Sequence, residues 1–138
     1  MRREVHISLV AICSLLLAAV STQAHHSAAA EFDVLREITF TGTITRVDWI
    51  NPHTYIYVDM KNANGEVSSW GLETWPTGLL HKYGIKREMF VVGQTLAVSV
   101  NPAKDPTKTV GWLRHAKFEN GDEINFKNNY VTDQDVEK

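Results

Sequence analysis

From Ile38 onward the chain alternates. Ile38, Phe40, Gly42 and Ile44 fall on one side of an extended segment, and Thr39, Thr41, Thr43 and Thr45 on the other. A period of two marks a half-buried strand. The pattern runs on through Val47 to Trp49, and Gly42 in its middle points to a bend or bulge of the kind a curved barrel strand uses. Asn51-Pro52 ends it, because proline cannot donate to a sheet ladder and asparagine favours turns. A second strand follows from His53 to Met60, with Thr54, Ile56, Val58 and Met60 on one face and Tyr55, Tyr57 and Asp59 on the other. Asn64-Gly65 supplies residues that tolerate positive φ in a hairpin connection, and Val67 to Glu73 is the third strand, with Trp70 and Leu72 sharing a face.

The period then changes. Pro76 suits a first helical turn, Leu79 and Leu80 are apolar, and Gly84 suits a C-terminal stop, which predicts a short helix within Thr74 to Tyr83. After a connection over 86–93, Thr95 to Val100 is a fourth strand with Leu96, Val98 and Val100 inward. Asn101-Pro102 to Lys108 reads as loop, Thr109 to Phe118 as a fifth strand, and Glu123 to Phe126 as a short final one. The predicted fold is mainly β: a small five- to six-stranded OB-like barrel with one short helix between strands 3 and 4. A small β-sandwich or open meander is the competing arrangement.

The ends of the chain have a different character. Met1-Arg2-Arg3, an apolar run from Ile7 to Val20 and the exit Ser21-Thr22-Gln23-Ala24 have the layout of a secretory signal. About fourteen apolar residues fall short of the ~20 that a membrane span needs. The expected organisation is a signal peptide over 1–24, an N-terminal arm over 25–37, the barrel over 38–127 and a polar tail over 128–138. Export places the protein in the periplasm or outside the cell.

Processing after Ala24 changes the chemistry available. The single cysteine, Cys13, leaves with the signal, so the mature chain has no disulfide and no thiolate ligand. Loss of Arg2, Arg3 and Glu4 takes the count from 14 basic and 16 acidic residues to 12 and 15, and the net charge from −2 to −3. A mildly acidic domain without a basic tract argues against nucleic acid and against an anionic membrane surface.

The mature chain would then begin His25-His26-Ser27. A terminal histidine offers a metal its free amine and its imidazole, and a second imidazole beside it makes a compact nitrogen cluster suited to Cu(II) or Zn(II). His53, at the turn between the first two strands, is a candidate third nitrogen, since loops of this kind are where barrels place binding groups. His115 in the fifth strand is a fourth candidate; alternation sets it on the face of Gly111 and Leu113, opposite Trp112, where a buried, hydrogen-bonded role competes. His81 near the end of the helix is accounted for by favourable charge at a helix C-terminus.

Trp49, Tyr55, Trp70 and Trp75, together with Tyr57, are candidates for lining an apolar ligand pocket; filling a small barrel is the competing use. Glu31, Asp33, Asp48, Asp59 and Glu73 are the candidate acids, and no pair has a spacing that demands general acid–base chemistry. No nucleophile elbow, phosphate loop or dinucleotide fingerprint is present, so no catalytic residue is assigned.

Two strings carry a resemblance. His25-His26-Ser27-Ala28-Ala29-Ala30-Glu31-Phe32-Asp33 and Gly42-Thr43-Ile44-Thr45-Arg46-Val47-Asp48-Trp49-Ile50-Asn51-Pro52-His53 are similar to a family of small exported bacterial proteins of unknown function. Members of that family look like a signal peptide, an Ala-His-His-Ser opening, a Gly-Thr-Val-Thr strand and an Asn-Pro-His turn before an aromatic-rich strand. The likeness continues through Tyr55-Ile56-Tyr57-Val58-Asp59 and Ser69-Trp70-Gly71-Leu72-Glu73. Ala28 stands where the family usually has phenylalanine, and Thr74-Trp75-Pro76-Thr77 replaces a Gly-Ser-Pro-Asn-like helix entry. The resemblance implies export and a β-rich fold and supplies no activity.

The expected function is a periplasmic binding module holding copper or zinc through His25, His26 and His53, with His115 as a further candidate. The alternatives are a barrel that binds a small hydrophobic ligand or a protein partner through its aromatic residues, and a copper oxidoreductase or accessory subunit.

Overall fold

The structure, a computed structural model, describes residues 28–126. The predicted signal segment, His25, His26 and the tail over 128–138 lie outside the described residues. The chain forms a one-turn helix α1 (Ala28–Glu31), strands β1 (Ile38–Asp48), β2 (Thr54–Lys61) and β3 (Val67–Thr74), and helix α2 (Thr77–Lys82). A 3-10 turn (Arg87–Met89) follows, then β4 (Thr95–Pro102), β5 (Val110–Phe118) and β6 (Glu123–Asn125). No helix among the described residues is long and apolar enough to cross a membrane.

The strands pair in the order β3-β2-β1-β4-β5-β6, and a parallel pairing of β3 with β5 closes the first five into a barrel. This is the OB-type arrangement the sequence predicts, with the short helix between strands 3 and 4. β1 makes the closure possible by serving two partners in turn: Ile38–Thr43 pair with β4 and Thr43–Asp48 with β2. Gly42 lies at the changeover. A Cβ there would come within 3.1 Å of Val58 Cβ and 3.2 Å of the Asp59 carbonyl oxygen, so the absence of a side chain lets β2 approach. The bulge itself falls at Thr45, between Ile44 and Arg46, where the extra residue increases strand twist.

Alternation puts Ile44, Ile56, Val58, Leu72, Leu96, Val98 and Val100 inside, each no more than 1% exposed, at about 1.5–3 kcal/mol for each large side chain withdrawn from water. α2 and the segment after it plug one end: Leu80, Ile85 and Phe90 are buried, and Trp75 meets Phe126 edge-on with centroids 5.3 Å apart.

Two sequence expectations change. β4 does not stop at Val100, because Asn101 and Pro102 continue its pairing with Trp112 and Gly111 of β5. Asn101 is held on its other side by its amide, which donates to the Arg36 carbonyl at 2.7 Å. Proline is tolerated as the last residue of the strand, where it accepts from the Asp33 N–H at 2.9 Å. The second change concerns β5. Its register shifts between the partners of Ser99 and Val100, so Leu113 and Ala116 are fully buried while His115 turns outward. Strict alternation had set His115 beside Leu113.

Candidate functional site

The turn between β1 and β2 delivers His53, and its shape is set by side-chain bonds. Asn51 Oδ1 accepts from the Thr77 N–H at 3.1 Å and from Thr77 Oγ1 at 3.0 Å, which ties the turn to the start of α2. The Thr54 N–H donates to the Trp75 carbonyl at 3.2 Å. His53 therefore enters β2 from a fixed position on the outer face of the barrel.

Next to it is Glu73. In the β2–β3 register Glu73 lies opposite Tyr55, and in the parallel seam it lies beside Trp112. These neighbours bury it although it sits on the outer face: Glu73 is 6% exposed. The carboxylate is met from two directions. His53 Nδ1 pairs with Oε1, and Tyr55 Oη donates to Oε2 at 2.5 Å. An ionised carboxylate only accepts, so a proton sits on His53 Nδ1, and in the neutral imidazole Nε2 is the nitrogen that carries the lone pair. The imidazole is about a third exposed and stands edge-on to Trp112, with centroids 5.8 Å apart and planes at 85°.

Burial pushes the Tyr55 phenol far above its ordinary value of 10.0, reinforced by the hydrogen bond to Glu73 and the charges of Glu73 and Glu31. The phenol thus stays a donor. Its bond contributes stability that is present below pH ~10 and is lost only as pH climbs beyond that toward the raised value. Alkaline absorbance titrations of the wild type and Tyr55→Phe should overlay between about pH 9 and 11, where ordinary tyrosines ionise. A wild-type curve exceeding the variant by one phenolate in that range would contradict the placement.

The amino-terminal arm reaches the same corner. Phe32 is 1% exposed, forms an isolated bridge with Ala103, and packs on Trp112 with centroids 6.0 Å apart. One indole thus carries the arm on one side and His53 on another. The site lies between the β1–β2 turn and the β4–β5 connection, the two loops that flank the ligand face of OB barrels.

The other sequence candidates are dispersed. His115 lies on the β5–β6 surface with Nε2 3.2 Å from Glu123, which also pairs with Lys117 at 2.8 Å. The lysine and histidine hold the Glu123 carboxyl below its ordinary value. Trp49 packs against His81 and Phe90, Trp70 against Phe40, and Trp75 against Tyr83 and Phe126, while Tyr55 stacks with Tyr57. None of these ring contacts joins two of Trp49, Tyr55, Trp70 and Trp75. A cleft of about 450 Å³ lies elsewhere, lined by residues including Thr41, Gly42, Asp59 and Met60. Among the described residues no group of three or more histidine, cysteine or acidic side chains is arranged to hold a metal ion.

The sequence singled out His53, Tyr55 and Glu73 separately and missed their union. Counting back from the Asn64-Gly65 hairpin sets Tyr55 opposite Glu73 or its neighbour, which was the available signal. Nothing local foretold the roles of Phe32 and Trp112, because the parallel seam that joins them is a long-range pairing.

Fold and site together define a small OB-type barrel with a histidine held by a buried carboxylate on its outer face. The chain belongs to the family of unknown function DUF6152, whose model matches residues 12–111. No curated protein and no solved structure matches the chain.

Proposed function

We propose that the protein is an exported metal-binding module that holds Cu(II) or Zn(II) through Nε2 of His53 and the nitrogens of His25 and His26 at a mature terminus produced by cleavage after Ala24. The observation that carries this reading is the grip of buried Glu73 on His53 Nδ1. A carboxylate bonded to the far nitrogen of an imidazole is the usual outer partner of a metal-binding histidine, fixing its tautomer and raising its basicity. In this reading His53 supplies one ligand from the barrel and His25 and His26 supply the others.

The ligand chemistry suits Cu(II) and Zn(II). Amine and imidazole nitrogens are borderline donors, and a terminal amine is already largely deprotonated near pH 8. Because each nitrogen must give up its proton to bind, affinity should fall as pH drops below about 8, where an α-amino group ordinarily protonates, and more steeply below about 6.5, the ordinary range of imidazole. Glu73 stays outside the coordination shell, with one oxygen on His53 and the other on Tyr55.

Calorimetric titration of the mature protein with Cu(II) tests the reading. His53→Ala and His25→Ala are each expected to weaken binding by more than about tenfold, since loss of even an outer partner commonly costs 10–100-fold. Equal affinity in all three proteins would defeat it. Mass spectrometry of protein recovered from the periplasm checks the terminus: cleavage after Ala24 gives a chain beginning at His25.

A further inference from the structure

We propose that the end of the barrel closed by α2 and residues 83–92 docks on an anionic lipid bilayer. Val91 and Val92 enter the boundary between headgroups and acyl chains, and Lys82, Lys86 and Arg87 meet the phosphates. The inference goes beyond the metal-binding reading and does not depend on it.

Apolar exposure is concentrated at this end of the molecule. Among the described residues eight large hydrophobic side chains are exposed, and four of them, Tyr83, Met89, Val91 and Val92, fall within 83–92. The stretch is anchored by buried Ile85 and Phe90. Beyond Phe90 the chain turns sharply: the Gln94 N–H donates to the Val91 carbonyl at 3.0 Å, and the Val91 N–H donates to Gln94 Oε1 at 3.3 Å. β1 holds the turn in place. The Gly93 N–H donates to the Ile44 carbonyl at 2.8 Å, and the Ile44 N–H donates to the Gln94 carbonyl at 2.9 Å. Val91 and Val92 are thus fixed in solvent at a turn, 56% and 61% exposed. Branched aliphatic side chains there serve neither the core nor the turn, which favours small polar residues; exposed apolar surface of this kind marks a place of contact.

The charge at this end suits an anionic surface. The whole chain carries a net −2, yet residues 82–92 hold Lys82, Lys86 and Arg87 against Glu88, a local charge of +2. The three cations are exposed, and among the described residues none of them is paired with a carboxylate. Lys82 Nζ stands 6.0 Å from the centre of the half-exposed Tyr83 ring, and tyrosine is a side chain that membrane interfaces favour. A protein partner would need a pocket matched to the projecting valines. A bilayer needs none, because acyl chains close around what enters and long cationic side chains reach back to the headgroups.

Partitioning of the mature protein onto sedimented vesicles at low salt tests the proposal. Vesicles of phosphatidylcholine and phosphatidylglycerol in equal parts are expected to bind the wild type about tenfold or more tightly than phosphatidylcholine alone, with the preference fading as salt rises. Val91→Ser/Val92→Ser should lower partitioning by about tenfold, through lost apolar burial. Lys86→Gln/Arg87→Gln should do the same through lost charge, again by about tenfold. Leu35→Ser, which changes an exposed residue on the arm, should partition as the wild type does. All the replaced side chains lie in solvent, so melting curves by circular dichroism should coincide.

Equal partitioning of the wild type and the double-valine variant would overturn the proposal, as would equal binding to the two kinds of vesicle. Absence of vesicle binding, with Val92→Cys cross-linking to a second copy or to another protein, would overturn it and give this face to a protein partner.

Discussion

Glu73→Gln is expected to lower Cu(II) affinity by about 10–100-fold, the usual scale for removing the outer partner of a ligating histidine. The substitution keeps the shape of the side chain and alters only what it can accept. Glu73 receives two donors, His53 Nδ1 and Tyr55 Oη. A glutamine side chain has one carbonyl oxygen and one NH2 group. The Tyr55 phenol, held protonated by burial and by this same carboxylate, presents a donor to the carbonyl, so the NH2 group faces His53. The imidazole then turns its unprotonated nitrogen toward Glu73→Gln and carries its proton on Nε2. That nitrogen is no longer a ligand. The cost to folding is smaller, about 1–3 kcal/mol for perturbing one buried donor–acceptor set.

Nitrogen chemical shifts of labelled histidine in the metal-free protein read the tautomer directly. The wild type is expected to show His53 with its proton on Nδ1 and the variant on Nε2. The same tautomer in both, with unchanged copper affinity, would remove Glu73 from the site.

Gly111→Val should be the most damaging single change to the barrel itself. Gly111 pairs with Leu72 across the parallel seam and with Pro102 of β4. A Cβ built on it would lie 2.9 Å from Val100 Cγ2, 3.0 Å from Val100 Cβ and 3.2 Å from the Asn101 carbonyl oxygen. Val100 is fully buried and cannot retreat, so β4 and β5 must part or the seam must open. Overpacking of this kind costs about 1–3 kcal/mol, and with two γ-methyl groups added to a clash that begins at Cβ we expect the upper end. For a domain of this size each kcal/mol lowers Tm by roughly 4–8 °C, so a fall on the order of 15 °C is expected by circular dichroism. Gly78→Ala is the control, because a Cβ there meets nothing within 4 Å; it lies inside α2, where alanine is favoured by about 1 kcal/mol. A Tm for Gly111→Val equal to that of the control would contradict the packing described.

The parts of this fold that were legible in the sequence are those set by local periodicity. Alternation from Ile38 to Ile44 and from Thr54 to Met60 names the inward residues, and Asn64-Gly65 marks the hairpin. What escaped depends on partners far along the chain. Asn101-Pro102 reads as a loop signal, yet β5 on one side and the arm on the other hold it extended. Gly42 reads as a bend or bulge; it lies where β1 changes partners and serves close approach to Val58, while the bulge lies at Thr45. His115 reads as inward because alternation has no memory of a register shift in the neighbouring ladder. The candidate site shows the same division: His53 was found as a loop histidine, but the carboxylate that orients it is brought there by strand register.

Electron paramagnetic resonance of the mature protein loaded with one equivalent of Cu(II) puts the central claim to its most direct test. With Nε2 of His53 on the metal, nitrogen couplings should show one imidazole fewer in His53→Ala than in the wild type. Superimposable spectra, with the same number of coupled imidazoles in both proteins, would contradict the claim that the barrel contributes a ligand.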